Sequence, residues 1–381
     1  MKVRYWGVIL GIIILVMVAA LLDLKTILPP TSASSEKEIL RTCPSSQGSY
    51  TGPLVPGQNT PGPGIVSSKI EPDETIPSSA WSNRAGFSIS SSTDPEYWAQ
   101  KLGSGWYLDW NTRHEIFVNG PEHWQMIRVH EECISPSPEV IRSTAAGFPG
   151  QVWIIGNEPD VIWQDNVTPA RYAMVYHSLY QLIKSSDPSS LIAVGGISQA
   201  TPLRLQYLDS VLQSYQELYQ EPMPADWWTV HGYVLREEKG SWGVEIPPGL
   251  DATHGELYEV ADHARLDLFE AQLISFRQWM KENGYQNAPL ALTEFGILMP
   301  ASYGFPPESI ANYLEQTFTW LYQAQDLSTG YPADAFRLVQ KWAWFSITDP
   351  TYSSSDLGNI SSGQLTLVGE RFRTVVSTKG H

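Results

Sequence analysis

Two strings in this 381-residue chain put a carboxylate where burial should disfavour one. They are Trp153-Ile154-Ile155-Gly156-Asn157-Glu158-Pro159-Asp160 and Leu290-Ala291-Leu292-Thr293-Glu294-Phe295-Gly296. Each is an apolar, β-prone run that stops abruptly on a glutamate, Glu158 or Glu294. A carboxylate at the carboxyl end of a buried strand is costly unless a partner or a reaction requires it. One such residue could merely pair with a core arginine. Two of them, with Asn157 directly before the first, suggest a general acid/base and a nucleophile working together. Retaining glycoside hydrolysis needs such a pair, its carboxyl groups ~5–5.5 Å apart.

Other side chains fall where they could serve the same chemistry. His231 and Tyr233 sit two apart, so on a strand they point the same way. Arg128 and His130 share a face of another strand, and either could hold a carboxylate ionised; the plainer alternative is an ion pair with a core acid. Trp342 and Trp344 share a face near the end of a third, and Trp344, nearer the carboxyl end, is the expected platform under a sugar ring. Trp110 and Asn111 are weaker candidates of the same kind. Asp160, Asp165 and Asp349 lack metal-ligand spacing, and no Gly-rich phosphate loop is present, so neither metal nor cofactor is expected.

These residues need a scaffold that brings distant strand ends together. Beyond Trp81 strand-like and helix-like segments alternate, the pattern of βα units around a parallel sheet. Eight strands are predicted at 86–90, 106–110, 125–130, 151–157, 191–195, 227–232, 290–293 and 339–345. Between them run amphipathic helices, for example Tyr172, Val175, Tyr176, Leu179 and Ile183 on one face, or Leu266, Phe269, Leu273, Phe276 and Met280. Eight such units predict an α/β fold, a (β/α)8 TIM barrel over 80–376 whose strands four and seven face each other.

With those elements in place, the motifs resemble clan A of the glycoside hydrolases. Gly156-Asn157-Glu158-Pro159-Asp160 and Thr293-Glu294-Phe295-Gly296 are most similar to the compact glycosyl hydrolase catalytic-core family, whose members include endo-β-1,3-glucanases. The resemblance runs from about Trp81 to about Thr374. It implies that Glu158 is the acid/base and Glu294 the nucleophile, and that Asn157 binds the sugar 2-hydroxyl. It also implies that His231 contacts the nucleophile. A stretch at 363–369 is similar to a turn before the last helix of related hydrolases. The implied substrate is a β-linked polysaccharide, foremost an endo-cleaved β-1,3-glucan. A β-xylosidase, β-glucosidase or mannanase of the same clan would use identical chemistry. A surface carbohydrate-binding protein without turnover is the alternative of another class, although it would have no need of both glutamates.

Composition narrows the partners. A net charge of −16 argues against nucleic acid as the main partner, whereas a neutral polysaccharide raises no objection. The 15 Trp and 18 Tyr offer flat faces for sugars, although for any single one a core position is the default. Lys2 and Arg4 precede an uncharged apolar run over 5–22 that Asp23 closes. Its length and the lack of a good cleavage site favour an uncleaved signal anchor over 1–28, with the catalytic domain outside the cytoplasm. Cleavage and secretion are the alternative. Residues 29–79, rich in Pro, Gly, Ser and Thr, read as a disordered linker. A monomer is expected, folding independently from near Ser79. Export makes a disulfide between Cys43 and Cys133, the only cysteines, possible, but a flexible tether supplies no geometric reason for it.

Overall fold

A computed structural model of the chain describes residues 38–44, 82–90, 93–114 and 120–379. Among these residues eight parallel strands form a ring: β1 (Ser82–Ser88), β2 (Ser104–Leu108), β3 (Gln125–Val129), β4 (Val152–Ile155), β5 (Leu191–Val194), β6 (Trp228–His231), β7 (Leu290–Phe295) and β8 (Lys341–Trp344). Sequential strands pair directly from β3 through β5, and again from β6 through β8 and on to β1 and β2. The two remaining gaps are bridged. Trp227 and Val230 pair with Ala193 and Ile197 across the β5–β6 gap. A two-residue strand, Glu122–His123, pairs with β2 just before β3, and Met126 N donates to Asn111 O at 3.0 Å. All eight predicted strands occur within a few residues of their expected positions.

Among the described residues seven α-helices pack outside: α1 (Pro95–Leu102), α2 (Pro138–Gly147), α3 (Pro169–Ser186), α4 (Pro202–Tyr219), α5 (Leu266–Glu282), α6 (Pro307–Gln323) and α7 (Leu367–Lys379). Five begin on proline, whose fixed φ and missing N–H suit the first helical position. Among the described residues no helix joins β2 to β3, where the eightfold pattern expects one.

The strand alternation divides the core in two. Trp106, Leu108, Trp124, Met126, Val152, Ile154, Ala193, Ala291 and Ala343 fill the inside of the ring. Their sequence neighbours Tyr107, Ile127, Trp153, Leu292 and Trp342 join the larger layer between strands and helices. The small Ala193, Ala291 and Ala343 leave room for the indoles of Trp106 and Trp124, whose centroids lie 4.9 Å apart.

Residues 38–44, inside the stretch read as a disordered linker, are instead docked on the barrel. Ile39 and Leu40 are buried, Cys43 N donates to Ile134 O at 2.9 Å, and Ile134 N returns a bond to Arg41 O at 2.8 Å. Arg171 at the start of α3 donates to Ile39 O. Cys43 and Cys133 form a disulfide, with Cα atoms 4.9 Å apart and a sequence separation of 90. A closed loop of that length stabilises a fold by about 4–5 kcal/mol in the chain-entropy view. The strap at 38–44 therefore belongs with the barrel it packs on, although it lies within the stretch assigned to the linker. The anchor expected at 1–28 and the rest of the linker lie outside the described residues. Among those described, no helix is long and apolar enough to cross a membrane.

Candidate active site

The carboxyl ends of β4, β6 and β7 converge on one imidazole. After β4 the chain passes through Gly156, at φ +90°, to Asn157 and then Glu158, itself at φ +46°. Glycine suits the first position because a Cβ there would lie 3.1 Å from the Tyr172 ring in a left-handed backbone. Glu158 N donates to Gly196 O at 2.9 Å, which ties the turn to the end of β5. His231, the last residue of β6, is buried with its Nδ1 2.9 Å from Glu158 Oε1. Its Nε2 lies 3.7 Å from Glu294 Oε1. Gly196 makes room for this ring, because a Cβ there would approach His231 Cδ2 to 2.9 Å.

Glu294 reaches the site by a break in alternation. Leu290 and Leu292 face the helices and Ala291 faces the ring interior, so regular pleating would turn Glu294 outward. The register slips instead: Val230 pairs with Leu292 but His231 with Glu294, and on the other side Trp342 pairs with Leu292 but Trp344 with Phe295. This one-residue bulge returns Phe295 to the outer layer and re-aims Glu294 at the barrel mouth. There Trp110 Nε1 donates to Glu294 Oε1 at 2.6 Å and Tyr233 OH donates to Oε2 at 3.2 Å.

Burial pushes the Glu158 carboxyl above the usual carboxylate range; hydrogen bonding and charge from His231 oppose this, while Glu294 and Asp160 add to it. Burial alone would lower His231, but the Glu294 and Glu158 carboxylates outweigh it and raise the imidazole. At 2.9 Å the two groups are hydrogen-bonded, so the titration of each depends on the other. Both shifts run upward, driven by burial for Glu158 and by the neighbouring carboxylates for His231. The mouth thus holds one carboxyl with a raised proton affinity beside a second that accepts hydrogen bonds from an indole and a phenol.

Of the residues singled out in the sequence, Glu158, Glu294, His231, Tyr233 and Trp110 come together here. Asn157 stands beside them, its Oδ1 buried and without a hydrogen-bond partner. His231 differs from the expectation in one respect, since its closer contact is to Glu158 and not to Glu294. Arg128 touches neither glutamate; it donates to Asp165 and Gln164. Trp344 is not a sugar platform. It is fully buried, donates to Ser355 O at 3.0 Å and packs against Phe295, Tyr313 and Phe318 in the outer layer. Trp342 and Trp344 do share a face, but it is the one that meets the helices. The aromatic on the opposite face is Phe345, partly exposed, with its ring 5.7 Å from Trp110. The signal that could have found it was Ala343: an alanine between two tryptophans marks the crowded interior side.

Two further groups shape the site without a motif to announce them. Arg204, fully buried at the start of α4, uses its guanidinium to bind Asp160 by side chain and carbonyl, Glu237 at 2.9 Å, and the carbonyls of Val244 and Glu245. That ties the turn carrying Glu158 to the long connection after β6. Asp356, in the connection after β8, accepts from Asp349 N at 2.8 Å and Thr348 Oγ1 at 3.2 Å. Burial pushes its carboxyl up to about 7, and the Asp349 charge adds to the shift. Because the folded form binds this proton more tightly than the unfolded form, the contribution to stability is complete below the unfolded value near 4. It is lost as pH rises through about 7. Asp356→Asn should therefore raise the melting temperature at pH 8 by a few degrees, about 1–2 kcal/mol after allowance for partial exposure, and leave it unchanged at pH 4. Thermal melts of both forms at the two pH values check this; an equal effect at both would contradict it.

No protein-family model matches the chain, and no curated protein matches it in sequence. Solved structures do share its fold. A GH128 (subgroup II) endo-beta-1,3-glucanase from Pseudomonas viridiflava is similar with a TM-score of 0.53 at 15% identity, over 77% of this chain and 98% of that one. A GH128 (subgroup III) curdlan-specific exo-beta-1,3-glucanase from Blastomyces gilchristii, in complex with glucose, gives 0.51 at 16% identity over 78% and 100%. A GH128 (subgroup I) endo-beta-1,3-glucanase from Amycolatopsis mediterranei, in complex with laminaritriose, gives 0.50 at 14% over 77% and 99%. At these identities the likeness is one of fold.

Proposed function

We propose that this chain is a retaining glycoside hydrolase of the clan A type that cleaves β-1,3-glucan within the polymer. The observation that carries the reading is the placement of Glu158 and Glu294 against the two nitrogens of one buried histidine at the barrel mouth. A barrel built for stability alone has no use for two carboxyl groups there. In this reading Glu294 attacks the anomeric carbon while Glu158 gives its proton to the departing glycosidic oxygen. Glu158 then takes a proton from the water that releases the glycosyl-enzyme. Trp110 and Tyr233 hold Glu294 in one orientation before it reacts, which spares the step a reorganisation cost. Asn157, with its unpartnered Oδ1, takes a sugar hydroxyl.

The substrate class draws support from the GH128 neighbours, which include a complex with laminaritriose, and from the acidic charge that suits a neutral polymer. The charge-flanked apolar run at 5–22 supports a membrane anchor with the barrel outside the cytoplasm. The Cys43–Cys133 disulfide fits an oxidising compartment of that kind. Incubation of the full-length chain with β-1,3-glucan, xylan and mannan tests the substrate. Mixed-length oligosaccharides from β-1,3-glucan alone are expected. Release of monosaccharide only, or cleavage confined to xylan or mannan, would contradict the endo-β-1,3-glucanase reading.

A further inference from the structure

Arg128 leads to a residue that has no part in the chemistry as described so far. The β3–β4 ladder ends where Gly156 N donates to Ile127 O at 2.7 Å. One step beyond, the amides of Val129 and Asn157 turn to a side chain. Both donate to a single oxygen, Asp165 Oδ2, at 2.9 and 2.7 Å. The other oxygen takes Arg128 Nε at 2.5 Å. Asp165 is fully buried by its side chain, whereas Arg128 reaches the surface. Its carboxylate stands in for the missing rung and lets the two strands part at the point where the Asn157 side chain must turn into the site. The Oδ1 of Asn157 is itself buried and unpartnered.

We infer that Asp165, held by Arg128, is the positioning residue that aims Asn157 at the sugar 2-hydroxyl; this rests on the proposed retaining reaction. The contact to that hydroxyl strengthens in the transition state, so misplacing Asn157 costs kcat more than KM. Asp165→Asn keeps the volume but exchanges one acceptor for a donor, so one of the three donors loses its partner.

The test compares two aryl β-laminaribiosides, one of them lacking the 2-hydroxyl on the sugar bonded to the aryl group. With the complete substrate, Asp165→Asn should lower kcat/KM by about 30- to 100-fold, mostly in kcat. With the 2-deoxy substrate the loss should shrink to about 2- to 3-fold, because the partner of Asn157 is already gone. Asn157→Ala should show the same non-additive pattern. Equal losses on both substrates would reduce Asp165 to a structural role and overturn the inference. So would an unimpaired Asp165→Asn beside an impaired Asn157→Ala. If Asp165→Asn shows no cooperative melt, Arg128→Gln carries the same comparison, with about a 10-fold loss expected on the complete substrate and little on the other. A wild-type chain inactive on both and on β-1,3-glucan would overturn the hydrolase reading itself, and this inference with it.

Discussion

Glu294→Ala is expected to lower hydrolysis of β-1,3-glucan by on the order of 10⁵-fold or more, with little change in melting temperature. The size follows from the role: without this carboxylate no covalent glycosyl-enzyme forms, and the remaining groups only bind and orient. Stability should hold because Glu294 is a cost to the fold. It is buried at a bulged strand end, and its partners are a half-buried indole and a phenol. Rates on polysaccharide and on an activated aryl glycoside should fall alike, since both need the nucleophile. A variant that kept more than a hundredth of the wild-type rate would exclude Glu294 from that role.

Glu158→Ala should behave differently, with a loss that depends on the leaving group. A general acid contributes about 10²–10⁴-fold when the departing oxygen needs its proton and almost nothing when it does not. Polysaccharide cleavage should therefore collapse, whereas the first turnover of a dinitrophenyl glycoside should survive as a burst, followed by slow release. Activity of the wild type should decline as pH rises through the titration of the Glu158–His231 pair, because that pair then loses the proton it must donate. The raised affinity of the pair for that proton places this decline above the ordinary carboxylate range. Equal losses on both substrates would mean that Glu158 does not act as the acid.

Much of this was legible in the residues because the barrel repeats a period-2 strand and a period-3.6 helix. Runs such as Leu191–Val194 and Val152–Ile155, short and apolar at every position, read as parallel strands, and all of these residues but Leu191 are buried. The two glutamates stood out because they ended such runs. What escaped were features set by contacts between distant segments. Strict alternation gives no hint of the bulge that turns Glu294 inward, yet Phe295 had to return to the leucine face, and only an extra residue allows that. Trp344 misled because a tryptophan near a strand end can face either layer; its neighbours on α6 decide, and they are far away in sequence. Arg128 was identified as a carboxylate's partner, but the carboxylate belongs to Asp165, in a loop with no regular period. The strap at 38–44 was hidden by the composition around it. Ile39 and Leu40 are two apolar residues in a polar stretch, and their docking depends on Ile134 and Arg171, some 90 to 130 positions away.

The division of labour between Glu158 and Glu294 is tested most directly by proton NMR of the azide product formed by each alanine variant from an activated β-glycoside. Azide needs no general base. In Glu158→Ala it should intercept the glycosyl-enzyme that Glu294 has formed and give the β-glycosyl azide, with configuration retained. In Glu294→Ala it should enter the empty space beneath the anomeric carbon and displace the leaving group directly, giving the α-glycosyl azide. The account predicts that pairing of variant and anomer. The reverse pairing would exchange the two roles, and wild-type turnover in both variants without azide would contradict catalysis at this site.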